Sequence, residues 1–439
     1  MDKDAYMKDK KIVLIGAGSR CFGPRMIVDI LNTKELQGKN FTLTLVDEDL
    51  TALDLAAKLA HRVKKHTGTD IAIEKSQDRL TALPNATYVI TSVAKNRMAL
   101  WEQDFRVPLS YGFKHCLGEN GGPGALFHAL RSFELVIPIC RDIEKICPQA
   151  LLLNFTNPEA RVLNAICHLT KVKAVGICHG VFSAIQLICD LLGRPREELQ
   201  IISAGMNHLY CMLKIIDKKT GKDLLADVLN KIKSDTSVKL PPLVRKMAEI
   251  FDIITYASDD HIGEYLSYAW EFTGTKWHYG QECKKVSKDN KEEPSLLEIY
   301  SNEANPLEGD IMLPSGEITV PIICDIELNR PSFREAVNVL NTERYIENLP
   351  TDAVIEVPAM VDGSGIHPMK VGPIPESFAC YIRTHFTVHK FLTEAYRTKS
   401  KKMLLRALLM DPNVNSITAA EKMLDDMLDL QKEFLPTFS

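Results

Sequence analysis

Four short segments of this chain carry residue types that could do chemistry. The first is Gly16-Ala17-Gly18-Ser19-Arg20-Cys21-Phe22-Gly23, set between an apolar run and an amphipathic stretch. Gly16 permits a tight turn, and Gly18 lets the backbone approach a pyrophosphate sitting on a helix N-terminus. Ser19 stands at the same mouth and is a cofactor-binding candidate. The third glycine of the GxGxxG pattern is missing: Cys21 takes its place and Gly23 lies two further on. Asp47 ends the next apolar run, 29 residues after Gly18. An acidic group there can bind both ribose hydroxyls and repel a 2′-phosphate, which favours NAD over NADP. The plain alternative is a glycine turn that binds no phosphate.

The second segment is Asn154-Phe155-Thr156-Asn157-Pro158 and the third is Cys178-His179-Gly180-Val181. Each follows an apolar run that reads as a strand. Ligands of open α/β sheets bind outside the strand C-termini, so both should face one crevice. Gly205-Met206-Asn207-His208 follows a further apolar run. A Cys178 thiolate and a His208 imidazole could hold a divalent ion, with open positions left for substrate oxygens. The competing reading is a buried cysteine and a hydrogen-bonded histidine. The fourth segment, Gly118-Glu119-Asn120-Gly121-Gly122-Pro123-Gly124, is the most glycine-dense. It reads either as a turn capping the next helix or as a loop carrying Glu119 into the crevice. Ser258-Asp259-Asp260-His261 adds two carboxylates, which by themselves read as a solvated turn or helix cap.

These segments need a scaffold that alternates strand and helix. Lys11–Gly16, Phe41–Val46, Ile71–Glu74, Thr87–Val93, Ala150–Phe155 and Ala174–Cys178 read as strands. Pro24–Leu36, Leu50–His66, Gly124–Lys145 and Glu159–Leu169 read as the helices between them. Such alternation predicts an α/β fold with a doubly wound parallel sheet over residues 1–200. The remainder, 201–439, reads as an α+β domain for substrate, metal and oligomer contacts. In it Ile201–Ile216, Glu317–Ile326 and Ala353–Val361 look strand-like. Leu224–Ile254, Ser377–Ser400 and Ile417–Phe434 look helical, and Lys284–Gly316 looks like a surface loop.

The 439 residues carry 53 Lys+Arg against 57 Asp+Glu, and this net charge of −4 argues against a general nucleic-acid binder. The apolar runs are too short to cross a bilayer, and the charged N-terminus lacks a signal core. The 11 cysteines show no framework spacing, which predicts reduced thiols in a cytoplasmic protein.

Taken in order, these motifs resemble the NAD- and manganese-dependent glycosidases of glycoside hydrolase family four. The set is GAGS with Asp47, then Asn157-Pro158, Cys178-His179-Gly180-Val181 and Gly205-Met206-Asn207-His208, then Val357–Asp362 through Gly365–Pro368. The resemblance implies a lactate/malate dehydrogenase-like Rossmann fold, assembled as a homodimer or homotetramer. It implies hydride removal from sugar C3 by NAD⁺, proton removal at C2, and elimination of the glycosidic oxygen. Water then adds and the hydride returns, so hydrolysis occurs without net redox change. By the same resemblance Cys178 and His208 are metal ligands and Asn157 binds substrate, with Asn154 beside it. Asp259 matches the C2 base of some members; Asp260, Tyr256 and Tyr265 are alternatives. Glu119 is the general acid candidate, with His179 as its substitute. The Cys178-His179 pair is similar to members acting on unphosphorylated α-glucosides, α-galactosides or uronides. Arg97 and Arg131 could clamp a uronate carboxylate bidentately. The alternative function is an NAD-dependent sugar or hydroxy-acid dehydrogenase without bond cleavage, which predicts NADH accumulating with product.

Overall fold

The computed structural model describes residues 9–20, 22–274, 276–277, 281–282 and 294–439. The strands are β1 (Lys10–Ile15), β2 (Phe41–Val46), β3 (Ala72–Ser76), β4 (Tyr88–Thr91), β5 (Leu151–Asn154), β6 (Lys173–Gly176), β7 (Leu199–Met206) and β8 (Leu209–Asp217). After them come β9 (Lys276–Trp277), β10 (Gln281–Glu282), β11 (Ser332–Leu340), β12 (Val354–Asp362) and β13 (Gly365–Pro368). Helices of the first half are α1 (Phe22–Asn32), α2 (Leu50–Thr67), α3 (Arg79–Ala82), α4 (Arg97–Ser110), α5 (Gly124–Ile146), α6 (Glu159–Leu169) and α7 (Gly180–Leu192). Those of the second half are α8 (Leu225–Ser234), α9 (Pro242–Phe251), α10 (Asp259–Gly263), α11 (Trp270–Thr273), α12 (Leu296–Ser301), α13 (Thr319–Glu327), α14 (Glu376–Thr398), α15 (Lys401–Leu409) and α16 (Ile417–Leu430).

The first six strands pair in parallel in the order β3-β2-β1-β4-β5-β6. That is the dinucleotide-binding order, with its crevice where the order reverses between β1 and β4. The sheet does not stop at β6. It continues antiparallel through β11, β12, β7 and β8, with β13 on β12. Strands of both halves therefore share one sheet, continuous across residues 200–201. The central strands are buried on both faces, which explains runs such as Ile12-Val13-Leu14, all fully buried. The long α14 packs on α6 and α5, so the C-terminal helices cover one face of the parallel half.

Several elements differ from the sequence expectation. Glu317–Ile326, expected as a strand, is instead helix α13. Its β-branched run favours a strand locally, but Val320, Ile322, Ile323 and Cys324 are buried against β12 and the core beneath β1 and α1. Burial at helical spacing overrides propensity there. The helical stretch 224–254 is broken into α8 and α9, where Pro241-Pro242 opens the second helix. Of the expected loop 284–316, residues 284–293 lie outside the described residues. The remainder holds α12, whose N-terminus carries a capping box from Ser295 and Glu298. Arg62 of α2 ties this segment down by donating to the Tyr300, Asn302 and Asn305 carbonyls.

Candidate active site

The turn after β1 is built for close backbone approach. Gly16 has φ +90°, and a Cβ there would lie 2.1 Å from the Ser92 carbonyl oxygen. A Cβ at Gly18 would meet the Asp47 carboxylate at 2.7 Å. Asp47 Oδ2 accepts from the Gly18 N–H at 2.8 Å, and Oδ1 accepts from the Asp49 N–H at 3.0 Å. Ser19 Oγ accepts from the Gly23 N–H at 2.6 Å, capping the start of α1. Gly23 supplies the contact expected of the missing third glycine: a Cβ there would strike the Ala17 carbonyl oxygen at 2.2 Å. The first turn of α1 holds no acidic residue. A glycine cradle, an uncontested helix N-terminus and Asp47 at the end of β2 fit a dinucleotide.

Cys178 and His208 meet beyond the ends of β6 and β7, two strands that β11 and β12 separate in the sheet. Cys178 follows β6, and the backbone N–H of Gly180 points at its sulfur at 3.4 Å. His208 occupies the two-residue turn between β7 and β8 in a left-handed conformation, φ 64°. Cys178 Sγ and His208 Nε2 are 3.4 Å apart. Metal–ligand bonds of about 2.0–2.3 Å put adjacent donors roughly 3–3.5 Å apart, so the pair fits one shared divalent ion. Burial pushes the Cys178 thiol up and the His208 imidazole down. Neutral imidazole is the form that ligates, and a bound cation would draw the proton off the thiol. Among the described residues no group of three or more His, Cys, Asp or Glu could hold a metal alone. The pair by itself offers two donors, and an ion held there would have positions left for further oxygens.

Glu119, Arg97 and Asn157 form a second polar cluster. Arg97 Nη2 donates to Glu119 Oε1 at 2.5 Å, and Asn157 Nδ2 reaches the same oxygen at 3.5 Å. The bond between Asn157 and Pro158 is cis, and Ser132 donates to the Asn157 carbonyl at 2.6 Å. Asn154 is placed differently. It is fully buried, and its amide is spent on Thr91 and Thr156, so it shapes the turn leading to Asn157. Arg131 is also turned inward, forking onto both Asp104 oxygens at 3.0 and 2.5 Å.

The segment around α10 approaches His208. Asp259 Oδ1 accepts from the Val244 N–H at 3.0 Å, so this carboxylate caps α9. Asp260 Oδ1 accepts from His261 Nδ1 at 2.8 Å. Burial raises Asp260, but the bonds from His261 and Ser258 prevail and hold it at about 2. His261 stacks on Tyr256 at 4.7 Å, and both rings lie about 5 Å from the His208 ring. Tyr265 is buried with its ring edge-on to His385 at 5.0 Å, and Glu264, Cys178 and Glu119 are among the groups whose charges bear on its hydroxyl.

Three functional neighbours were not legible from motifs. Glu264 Oε1 accepts from the backbone N–H groups of Glu119, Asn120 and Gly121 at 2.7, 2.8 and 3.2 Å. Glu317 Oε1 accepts from His179 Nδ1 at 2.7 Å and so orients that ring. Glu356 Oε2 accepts from Asn207 Nδ2 at 3.0 Å, and burial lifts this carboxyl to about 7. Each is a single carboxylate whose partner is remote in sequence, so spacing carries no signal for it.

Comparison with known proteins agrees with this geometry. The model of the family described as "Family 4 glycosyl hydrolase" matches residues 11–194, and that of its C-terminal domain matches 203–414. An alpha-glucosidase of Erwinia rhapontici is 28% identical, covering 97% of this chain and 98% of its own length. An alpha-galactosidase of Bacillus subtilis is 29% identical, covering 98% and 100%. The solved structure of a 6-phospho-alpha-glucosidase from gut microorganisms, in complex with NAD and Mn2+, overlays with TM-score 0.82 at 20% identity, covering 98% and 100%. A malate dehydrogenase of Plasmodium falciparum shares the backbone fold more distantly, at TM-score 0.53. The two family matches together span nearly the whole chain, and the chain belongs to the family 4 glycosyl hydrolases.

Proposed function

We propose that the protein is an NAD- and divalent-metal-dependent glycosidase acting on unphosphorylated α-glucosides, α-galactosides or the corresponding uronides. One observation carries the reading: Cys178 and His208 stand 3.4 Å apart beyond the ends of β6 and β7, in a chain whose turn after β1 fits a dinucleotide. A plain dehydrogenase would need the turn but not the two-donor metal pair. Gly16, Gly18 and the α1 N-terminus would hold the pyrophosphate, with Ser19 capping that helix and Asp47 taking the ribose. Cys178 and His208 would hold Mn2+ or a similar ion. When bound, NAD supplies a reversible hydride acceptor and the ion supplies Lewis-acid polarisation of the sugar oxygens.

The remaining roles fall to side chains. Asn157 offers its amide to the sugar, and Asn154 sets the turn that aims it. Glu119 protonates the departing glycosidic oxygen, oriented by Arg97. His179, fixed by Glu317, is the substitute acid. Two groups compete for the C2 proton. Asp259 is the candidate by resemblance, while His261, backed by Asp260, stands nearer the His208 ring. The nine described cysteines are free thiols, and no helix among the described residues is long and apolar enough to cross a membrane. These observations support a cytoplasmic enzyme, and the resemblance supports a homodimer or homotetramer. The two family matches, over residues 11–194 and 203–414, support residues 1–200 and 201–439 as functional units.

The test is a panel of nitrophenyl α-glucosides, α-galactosides and α-galacturonides with NAD⁺, Mn²⁺ and a thiol reductant. Release of nitrophenol without net NADH is expected. NADH accumulating while the glycoside stays intact would establish the dehydrogenase instead.

A further inference from the structure

Glu264 is fully buried, yet no sequence motif and no role above accounts for it. One of its oxygens accepts three consecutive backbone N–H groups, those of Glu119, Asn120 and Gly121. Three successive N–H donors converging on one oxygen define the path of the Gly118–Gly124 loop at that point. The loop is also pressed against residue 264 from the other side. A Cβ at Gly121 would lie 2.5 Å from the Glu264 carbonyl oxygen and 2.8 Å from its Cβ. Asn413 Nδ2 donates to that same carbonyl at 3.3 Å and holds the residue from behind. Glu264 directly follows α10, the turn that carries Asp259, Asp260 and His261. One side chain therefore joins the loop bearing Glu119 to the segment bearing the proton acceptors.

We propose that Glu264 is a positioning residue that sets the register of Glu119 for proton delivery to the leaving group. The proposal deepens the glycosidase reading and rests on Glu119 as the acid. The loop's hydrogen bonds to Glu264 come from backbone N–H groups, so Glu264 would act on Glu119 through the loop backbone. What the loop needs is an acceptor oxygen at that point. An amide oxygen can replace it, whereas a thioether of similar size cannot.

The experiment separates positioning from folding by leaving-group dependence. A 2,4-dinitrophenyl glycoside leaves without protonation, while a methyl glycoside needs the acid. For Glu264→Met we expect kcat on the methyl glycoside to fall at least 30-fold. On the dinitrophenyl glycoside it should fall less than threefold, with KM, C2–H exchange and NAD affinity by fluorescence within threefold of wild type. Glu264→Gln should restore both substrates to within threefold. Gly121→Ala, which pushes the loop from its own side, should reproduce the leaving-group effect should Glu264→Met fold poorly. Equal losses on both substrates, or none on either, would overturn the proposal. Glu119→Gln separates the two levels. If it shows the leaving-group effect and neither Glu264→Met nor Gly121→Ala does, positioning fails while the acid stands. If Glu119→Gln lacks the effect, the acid assignment has failed and the proposal falls with it.

Discussion

Cys178 illustrates how much a single residue depends on where the chain folds it. The residue is half-buried, and desolvation disfavours the thiolate. Its sulfur is 3.4 Å from His208 Nε2, a spacing open both to an S–H···N hydrogen bond and to a shared cation. Cys178→Ser should weaken Mn²⁺ binding by more than about 100-fold, since even outer-shell losses cost 10–100-fold. NAD affinity should stay within a few-fold, because the Gly16–Gly18 turn is untouched. Calorimetric titration of each ligand checks this; retention of tight Mn²⁺ binding would remove the metal centre from the account. The proton acceptor is separable in the same way. If Asp259 acts directly, Asp259→Asn should abolish C2 exchange in D₂O and His261→Gln should spare it. The reverse pattern assigns the step to the Asp260–His261 pair.

At the scale of elements, the nucleotide turn was legible and much of its surroundings was not. A glycine-dense turn after an apolar run announces itself because each glycine answers a local need. Gly16 needs φ +90° and space for the Ser92 carbonyl. Gly16→Ala should therefore cost roughly 1–3 kcal/mol of stability and weaken NAD binding at least tenfold, measured by thermal unfolding and fluorescence titration. The pairing of Cys178 with His208 was also readable, because both end apolar strands. Arg131 was not: its partners Asp104 and Gln431 lie 27 and 300 residues away, and only tertiary structure joins them. The residues nominated for a uronate clamp are thus already engaged, Arg131 by Asp104 and Arg97 by Glu119. Helix α13 was misread because Ile322-Ile323 looks like strand until its burial on both sides is known. The Asp259-Asp260 pair by itself reads as a solvated turn or helix cap, and Asp259 does cap α9.

At the scale of the whole molecule, buried polar groups tie the C-terminal helices to the nucleotide-binding half. Arg131 of α5, Asp104 of α4 and Gln431 beyond α16 form one closed network. Arg131→Met leaves Asp104 buried without its counter-charge and should cost about 3–5 kcal/mol, read from the urea unfolding midpoint. Histidines in the same region impose a pH limit. Burial lowers His115 to about 4, and it also lowers His128, His385 and His389. In the unfolded chain these rings gain protons near 6.5, whereas the fold keeps them neutral. The unfolded state then binds more protons at these rings as pH falls below that value, so their contribution to stability declines with acid, while the buried Glu356 and Glu264, which burial lifts to about 7 and about 8, contribute in the opposite direction. His115 alone should remove on the order of 2 kcal/mol by pH 5. Urea unfolding of the wild type and of His115→Gln at pH 7, 6 and 5 isolates this contribution: the stability gap between them should narrow as pH falls, and a constant gap would contradict it.

The central claim is that one crevice, made by the glycine turn, the Cys178–His208 pair and the Glu119 loop, breaks a glycosidic bond through reversible oxidation of the sugar. The most direct measurement is turnover of a cleaved nitrophenyl glycoside in D₂O with NAD⁺ and Mn²⁺, with the sugar product read by NMR. The account predicts deuterium at C2 of every product molecule and no net NADH. Product that retains hydrogen at C2, released at the same rate without NAD⁺, would contradict it.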